Sequence, residues 1–510
     1  MILGAGCVAA APQTRSPSQP PTSSEPIAAS ELEEQNGWRP TPDAEFRHSA
    51  PGPGAERPWE APVPESSKLS NGMRLLLVQR PHLPIVVVHL VAPRGAEMQP
   101  RSGVGSFLGA MLEQGTTSRS ALEISEAFLD IGAEHSAWVD WDSTNVEIKV
   151  LPSQLRQGIE IIADIIKNPS FPTDEIERLM SRTVASIRQQ MDNPRTIMNN
   201  TIARTLFAGS PYGDSLRGTE ESLANVSQSE LKALHRKLVL PQEMAVVVVG
   251  DTTASEVAPI IEKAFGNWKV GSVPVKQFSS KPPRSRKISV VDRKGSTQST
   301  VALASVGISR SSTRFGSALI ANSIFGGMFS SRLNMNLRER HGYTYGARSH
   351  FDMRHNAGPF VASAAVDTPN TGAALKEMLD ELERFCSGPP SSDEMTLSLG
   401  QEVRSLPGLF ESGEETARRI ALLVAHRLSM NEYRSRPALL NGVTPADVHS
   451  VATELFDPHR MQIVVVGDFD AIRSQLEELR FGPIEVVDAH SSKVLQVFQS
   501  SDSPRTFSCK

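Results

Sequence analysis

The sequence predicts an α+β chain made of two homologous halves, and three features predict it. The segment Met244 to Asp251 (M-A-V-V-V-V-G-D) recurs as Met461 to Asp468 (M-Q-I-V-V-V-G-D), an offset of 217 residues. The segment Val226 to Leu231 recurs as Val443 to Val448 at the same offset. Two matched segments with one shared spacing indicate duplication, because unrelated Val-rich strands would not share it. Second, β-branched runs of strand length alternate with segments of helical period. Third, composition changes sharply near residue 65. Residues 1–65 are rich in Pro, Ser, Ala and Glu and read as a disordered tether. The first half is expected over 66–270, a Pro-, Ser- and Lys-rich linker over 271–286, the second half over 287–488, and a loose polar tail over 489–510.

Taken in order, Asn71-Gly72 is a turn signal, and Leu75–Val78 and Ile85–Val91 are apolar runs expected as buried strands. A helix is expected over 103–114. Ser120 and Glu123 form a capping box that opens a second helix, which Gly132 stops. Residues 143–150 read as a strand. A helix from about Ser153 places Leu155, Ile159, Ile162 and Ile166 on one face, and Pro169 and Pro172 end it. Another helix runs from Asp174 to about Met191. The half closes with the strand Met244–Gly250 and a helix through Val257, Ile261 and Phe265.

Composition excludes several functions. The net charge of −5 over 510 residues offers no basic field for nucleic acid. No apolar run reaches the 18 or more residues of a membrane-spanning helix. Neither a G-x-S-x-G, nor a Walker loop, nor a C-x-x-C occurs. Of the three cysteines, Cys386 and Cys509 are expected as unpaired thiols. Cys7 ends the run Met1 to Gly6, which resembles the tail of a bacterial lipoprotein signal and makes Cys7 a lipidation candidate. That reading implies a periplasmic or outer-membrane-anchored protein; without it the expected location is cytoplasmic.

The stretch that organises the first half is residues 103–116, G-V-G-S-F-L-G-A-M-L-E-Q-G-T. It resembles the metal-site helix of the pitrilysin/insulinase family, the inverted zincins, with its metal-binding groups removed. The family motif is H-x-x-E-H. Positions i, i+3 and i+4 share one helix face, so two imidazoles can grip a zinc while the carboxylate activates its water. In that frame Ser106 stands at the first His, Gly109 at the Glu and Ala110 at the second His. The family's third ligand, a Glu on a later helix, corresponds to Ser186, and a further carboxylate to Leu179. The segments Leu69–Arg74, Pro211–Gly213 and Gly218–Glu221 also resemble family segments.

The second half carries Phe325-Gly326-Gly327-Met328-Phe329-Ser330-Ser331-Arg332-Leu333, then Leu337-Arg338-Glu339 and Tyr345. This is similar to the family's G-G-x-x-S-R-L and L-R-E-x-x-G-x-x-Y. The resemblance implies that Arg338 and Tyr345 bind the substrate's carbonyl, and that Gly326 and Gly327 form a substrate-touching loop. A tight turn is an equal reading of the two glycines. Tyr343 is a weaker candidate than Tyr345. His341, His350 and His355 read as surface residues, and neither Glu113 nor Glu134-His135 lies on the face a zinc site needs.

The resemblance covers about residues 66–485. It implies two metallopeptidase-like α/β-sandwich lobes, each a mixed antiparallel sheet packed with helices, closing as a clamshell. It further implies a chain with no zinc of its own, needing a zinc-bearing homologous subunit to hydrolyse peptides. That heterodimer would act on extended peptides, with Arg338 and Tyr345 supplied to the partner's site. The alternative is a binding or structural protein of the same fold with no part in proteolysis.

Overall fold

The computed structural model describes residues 43–48, 58–274, 278, 283, 285–499 and 503–509. Cys7 and most of the tether lie outside the described residues. The chain divides into two units, Met1–Pro58 and Trp59–Lys510. Within the first, Glu45–Arg47 form a single 3-10 turn. The second holds both duplicated lobes.

In lobe 1 the strands β1 (Glu65–Lys68), β2 (Arg74–Gln79) and β3 (Val86–Ala92) come first. Helices α1 (Val104–Met111) and α2 (Ala121–Asp130) follow, then the hairpin β4 (Glu134–Val139) and β5 (Thr144–Val150). Next come α3 (Leu155–Lys167), α4 (Thr173–Gln190), α5 (Pro194–Phe207), α6 (Glu220–Leu223) and α7 (Gln228–Leu238). Strand β6 (Ala245–Gly250) and helix α8 (Ala254–Phe265) close the lobe.

Lobe 2 repeats the plan with β7 (Ile288–Asp292), β8 (Gln298–Val306), α9 (Phe315–Asn322), β9 (Ala347–Phe351) and β10 (Pro359–Asp367). Helices α10 (Thr371–Cys386), α11 (Ser392–Arg404), α12 (Gly413–Ala425), α13 (Glu432–Asn441) and α14 (Pro445–Leu455) lead to β11 (Gln462–Gly467), α15 (Phe469–Glu478), β12 (Ile484–Val487) and β13 (Val494–Phe498). Both β6 and α7 recur 217 residues on, as β11 and α14, with matching first and last residues.

The sheets are mixed. Lobe 1 has the order β1-β2-β6-β3-β5-β4 and lobe 2 the order β13-β12-β7-β11-β8-β10-β9. In lobe 1, β2 and β6 run parallel, with Leu76 beside Val247, while β3 is antiparallel to both β6 and β5. The hairpin strands β4 and β9 therefore lie at corresponding sheet edges.

Why β6 is an unbroken Val run follows from what covers it. Val246 and Val248 join Leu75, Leu77, Val88 and the lobe's own helices in one core. Val247 and Val249 face the other way, with Leu76, Val87 and Val91, onto Ala417, Ile420, Ala421 and Val424 of α12. A strand buried on both faces loses the polar/apolar alternation of a half-exposed one. The arrangement is reciprocal. From lobe 1, α5 places Ile197, Met198, Ile202 and Leu206 against Ala302, Ala304, Val464 and Val466 of the lobe 2 sheet. Each lobe therefore completes its sheet with a helix from the other.

Two expectations are corrected at the C-terminus. The tail is not loose: β13 pairs antiparallel with β12, and Phe507 joins the lobe 2 core. Arg505 bridges Asp380 at 2.5 Å and Glu383 at 3.0 Å on α10. Nor are the thiols unpaired, because Cys386 and Cys509 form a disulfide across 123 residues of sequence. The tail's docking brings them together, and composition does not announce such docking.

Buried and paired ionisable groups set the acid stability. The His235 ring of α7 donates to the Ile166 carbonyl at 2.8 Å, and burial pushes its pKa down to about 4. The Arg332 guanidinium grips Glu394 through bonds of 2.5 and 2.9 Å and lowers that carboxyl to about 2. Both groups take up protons more readily when unfolded. The stabilisation from these two groups is full above pH 6.5, falls through His235 between 6.5 and 4, and falls further through Glu394 between 4.5 and 2. The His235 step is worth roughly 3 kcal/mol. Denaturant midpoints measured from pH 7 to pH 4 should drop in the parent protein, and His235→Gln should flatten that limb. An unchanged limb in the variant would refute the assignment.

Candidate functional site

The emptied helix keeps its family frame but has been repacked. Helix α1 lies against α4, so Ser106 and Ala110 on one and Ser186 on the other come from adjacent elements. The Ser106 hydroxyl donates to the Leu216 carbonyl at 2.8 Å, with the Gly103 carbonyl at 3.2 Å. Ser186 accepts from the Gln190 amide at 3.1 Å, and Leu179 packs on the lobe 1 core. Ala110 is exposed.

Gly109 is tightly packed. A Cβ there would stand 2.6 Å from the Val139 nitrogen and 2.9 Å from the Trp138 backbone. Strand β4 thus occupies the space beside α1 that the family's Glu side chain would need. Gly326 does the same in lobe 2: its Cβ would meet the Ser349 hydroxyl oxygen at 2.5 Å and nitrogen at 2.7 Å on β9. Gly109 and Gly326 are 217 residues apart, and S-F-L-G-A-M over 106–111 matches S-I-F-G-G-M over 323–328. The emptied helix has the packing of its counterpart in lobe 2. Gly326 therefore serves helix–strand packing, and Gly327 lies close to Asn322, whose amide nitrogen would be 2.8 Å from an added Cβ.

In the surviving motif most residues are tied into the lobe. Arg332 binds Glu394 and stacks on Phe385 at 5.0 Å. Asn334 donates to the Phe329 carbonyl at 2.8 Å and accepts from the Ala347 amide at 3.1 Å. Asn336 reaches Glu377 and Glu381. Tyr343 packs on the core and stacks on His341.

Arg338 and Tyr345 are different. Arg338, on a π-helical turn over Met335–Arg340, is 41% exposed, lies 3.2 Å from Glu339 and sits over the Phe329 ring at 4.8 Å. An exposed pair of that kind is worth about 1 kcal/mol or less and is readily exchanged for another anion or carbonyl. Tyr345, in the loop before β9, is 94% exposed. Phe329 and Met335 are also exposed, so the stretch from 329 to 345 presents large apolar side chains beside a cation.

Histidine placement needed the fold. His355 is not a surface residue: with 19% of its side chain exposed, it sits between the lobes. Its Nδ1 lies 3.1 Å from Glu97 and 3.5 Å from Asp142, and its Nε2 lies 2.5 Å from the Ala425 carbonyl. Burial pushes the Asp142 carboxyl up to about 6. Burial alone would lower His355, but the Glu97 hydrogen bond and the two carboxylate charges outweigh it and raise the ring to about 9. His426, just past α12, is lowered to about 4 by burial and by the His355 charge. Glu113 and His135, set aside above, do meet at 2.8 Å, with the His135 ring stacked on Phe128 at 3.8 Å.

Comparison with known proteins agrees with this fold. Residues 74–220 match the family described as Insulinase (Peptidase family M16), and residues 225–399 match the Peptidase M16 inactive domain. Together they span well over half of the chain. A Bacillus subtilis protein named as an uncharacterized zinc protease, YmxG, is 24% identical over 394 residues, covering 76% of this chain and 94% of its own. A Streptomyces coelicolor protein of the same description is 24% identical over 412 residues, covering 78% and 88%. Among solved structures, a peptidase M16 inactive domain from Pseudomonas fluorescens superposes with a TM-score of 0.74 at 21% identity, covering 79% of this chain and 98% of its own. A Helicobacter pylori protease also gives 0.74, at 20% identity, covering 80% and 100%.

Proposed function

Because the chain belongs to the insulinase family, peptidase family M16, we propose that it is the non-catalytic, peptide-binding subunit of a heterodimeric zinc endopeptidase. The partner supplies zinc, the attacking water and the general base. This chain supplies Arg338 and Tyr345, which donate hydrogen bonds to the carbonyl oxygen as it gains negative charge. The observation that carries the reading is a contrast. Of the five emptied positions, Ser106, Gly109, Leu179 and Ser186 are bonded or packed within lobe 1 and Ala110 is an exposed methyl, whereas Arg338 and Tyr345 project from lobe 2 in an exposed aromatic stretch. The open edges β4 and β9 suit an extended peptide added as a further strand.

We also propose a location. The Cys386–Cys509 disulfide supports an oxidising compartment such as the periplasm, in keeping with a lipidated Cys7.

The test is reconstitution with a zinc-bearing relative encoded beside this chain. Removing one oxyanion donor costs other hydrolases about 10²–10³ in rate. Arg338→Ala with Tyr345→Phe should therefore lower the mixture's peptidase rate by about a hundredfold or more, without loss of complex by gel filtration. If the doubly substituted chain supports cleavage as well as the parent, the proposal fails and a structural or binding role of the same fold replaces it.

A further inference from the structure

At the junction of the lobes three metal-capable side chains converge: Asp142, His355 and His426. Asp142 lies between β4 and β5, His355 between β9 and β10, and His426 caps α12, so both lobes contribute. One ligand atom from each lies within 4.8 Å of the other two. Asp142 Oδ1 lies 3.5 Å from His355 Nδ1, and the other carboxylate oxygen, Oδ2, lies 3.8 Å from His426 Nδ1. Tetrahedral ligands at bond lengths of about 2.0–2.1 Å stand about 3.3 Å apart, so the ligand atoms must draw together by about 1.5 Å at most, within reach of side-chain rotation.

Two further observations point to a ligand. His426 Nδ1 is buried and makes no hydrogen bond, although only 11% of the side chain is exposed. A buried ring nitrogen left unpartnered is costly. His355 Nε2 faces the Ala425 carbonyl, which fixes its proton there and turns Nδ1 toward the cluster. Metal-ligating histidines characteristically donate their other N–H to a carbonyl or carboxylate in this way. The Tyr212 hydroxyl, 3.1 Å from an Asp142 oxygen, holds the carboxylate. Glu97, beside His355, provides the second negative charge that a dication needs.

We propose that Asp142, His355 and His426 form a structural site for a borderline divalent cation of the zinc or cobalt type, clamping lobe 1 to lobe 2. Imidazole nitrogens with a carboxylate suit such ions better than magnesium or calcium, which prefer all-oxygen shells. In binding, the ion takes the position of the proton that bridges His355 Nδ1 to the carboxylates. The site is separate from the emptied family position on α1, and its metal is structural rather than hydrolytic.

The experiment uses the full chain, stripped with a chelator and titrated with cobalt(II). One equivalent should bind, with the visible absorption of a low-coordinate cobalt centre, and metal should raise the thermal midpoint. His426→Ala and Asp142→Asn, each checked for folding by circular dichroism, should bind at least tenfold more weakly. Ser106→Ala with Ser186→Ala should bind as the parent does. A parent chain that takes up no cobalt or zinc at micromolar excess overturns the site, as does full retention in folded His426→Ala and Asp142→Asn. Either result leaves the peptidase-subunit reading untouched, because that reading is scored by Arg338 and Tyr345.

Discussion

Gly109→Glu, which writes the family's carboxylate back into α1, will destabilise the protein and will not restore a zinc site. The added Cβ would enter the backbone of β4 at Val139 and Trp138, at 2.6 and 2.9 Å. Backbone cannot rotate aside as a side chain can, so either α1 or β4 must move. Moving β4 strips its pairing with β5 and the contact between Glu113 and His135. Overpacking of this kind costs about 3 kcal/mol, and more where only backbone is available to yield. Gly109→Ala suffices to show the effect, because the clash begins at Cβ. Ala110→Glu, one residue along on the exposed side, should change stability by no more than about 0.5 kcal/mol. Urea midpoints of the three variants check this. A Gly109→Ala protein as stable as the parent would mean that β4 does not press on α1. Adding His at positions 106 and 110 to Gly109→Glu should give no zinc-dependent cleavage.

Ile420→Ala, in α12, will lower the stability of both lobes at once, and Ile202→Ala in α5 will do the same. Each side chain is almost fully buried against the sheet of the opposite lobe. Truncating such a residue costs about 2–5 kcal/mol. If each sheet is completed by the other lobe's helix, neither lobe can keep its core when the other unfolds. Calorimetry should then show one cooperative transition in the parent and one, shifted down, in each variant. Leu422→Ala, on the more exposed side of α12, should move it little. Two resolved transitions, with Ile420→Ala shifting only one, would show that the lobes fold independently.

The repeat was legible because duplication preserves spacing. The offset linking Val226–Leu231 to Val443–Val448 also links α7 to α14 and β6 to β11. The same offset was available for Ser106–Met111 against Ser323–Met328, and it would have shown that the emptied helix resembles its partner in lobe 2. Strands β2, β3 and β6 were readable from apolar runs. Helices α5 and α12 were missed, because α5 carries little amphipathic signal: its apolar residues face the sheet of the other lobe, distant in sequence. His355 was misread for the same reason, since a lone histidine in a hairpin shows nothing of what folds onto it.

By itself the sequence determined the family, the two-lobed α+β plan and the absence of the H-x-x-E-H side chains from α1, because these depend on residue identity and spacing along one chain. The tertiary structure decided what fills the space beside Gly109, that α5 and α12 are exchanged between sheets, that the tail docks through Cys386 and Cys509, and that Asp142, His355 and His426 meet. Those depend on residues distant in sequence being pressed together when apolar surface leaves water, and periodicity along a single segment carries no record of its distant partner.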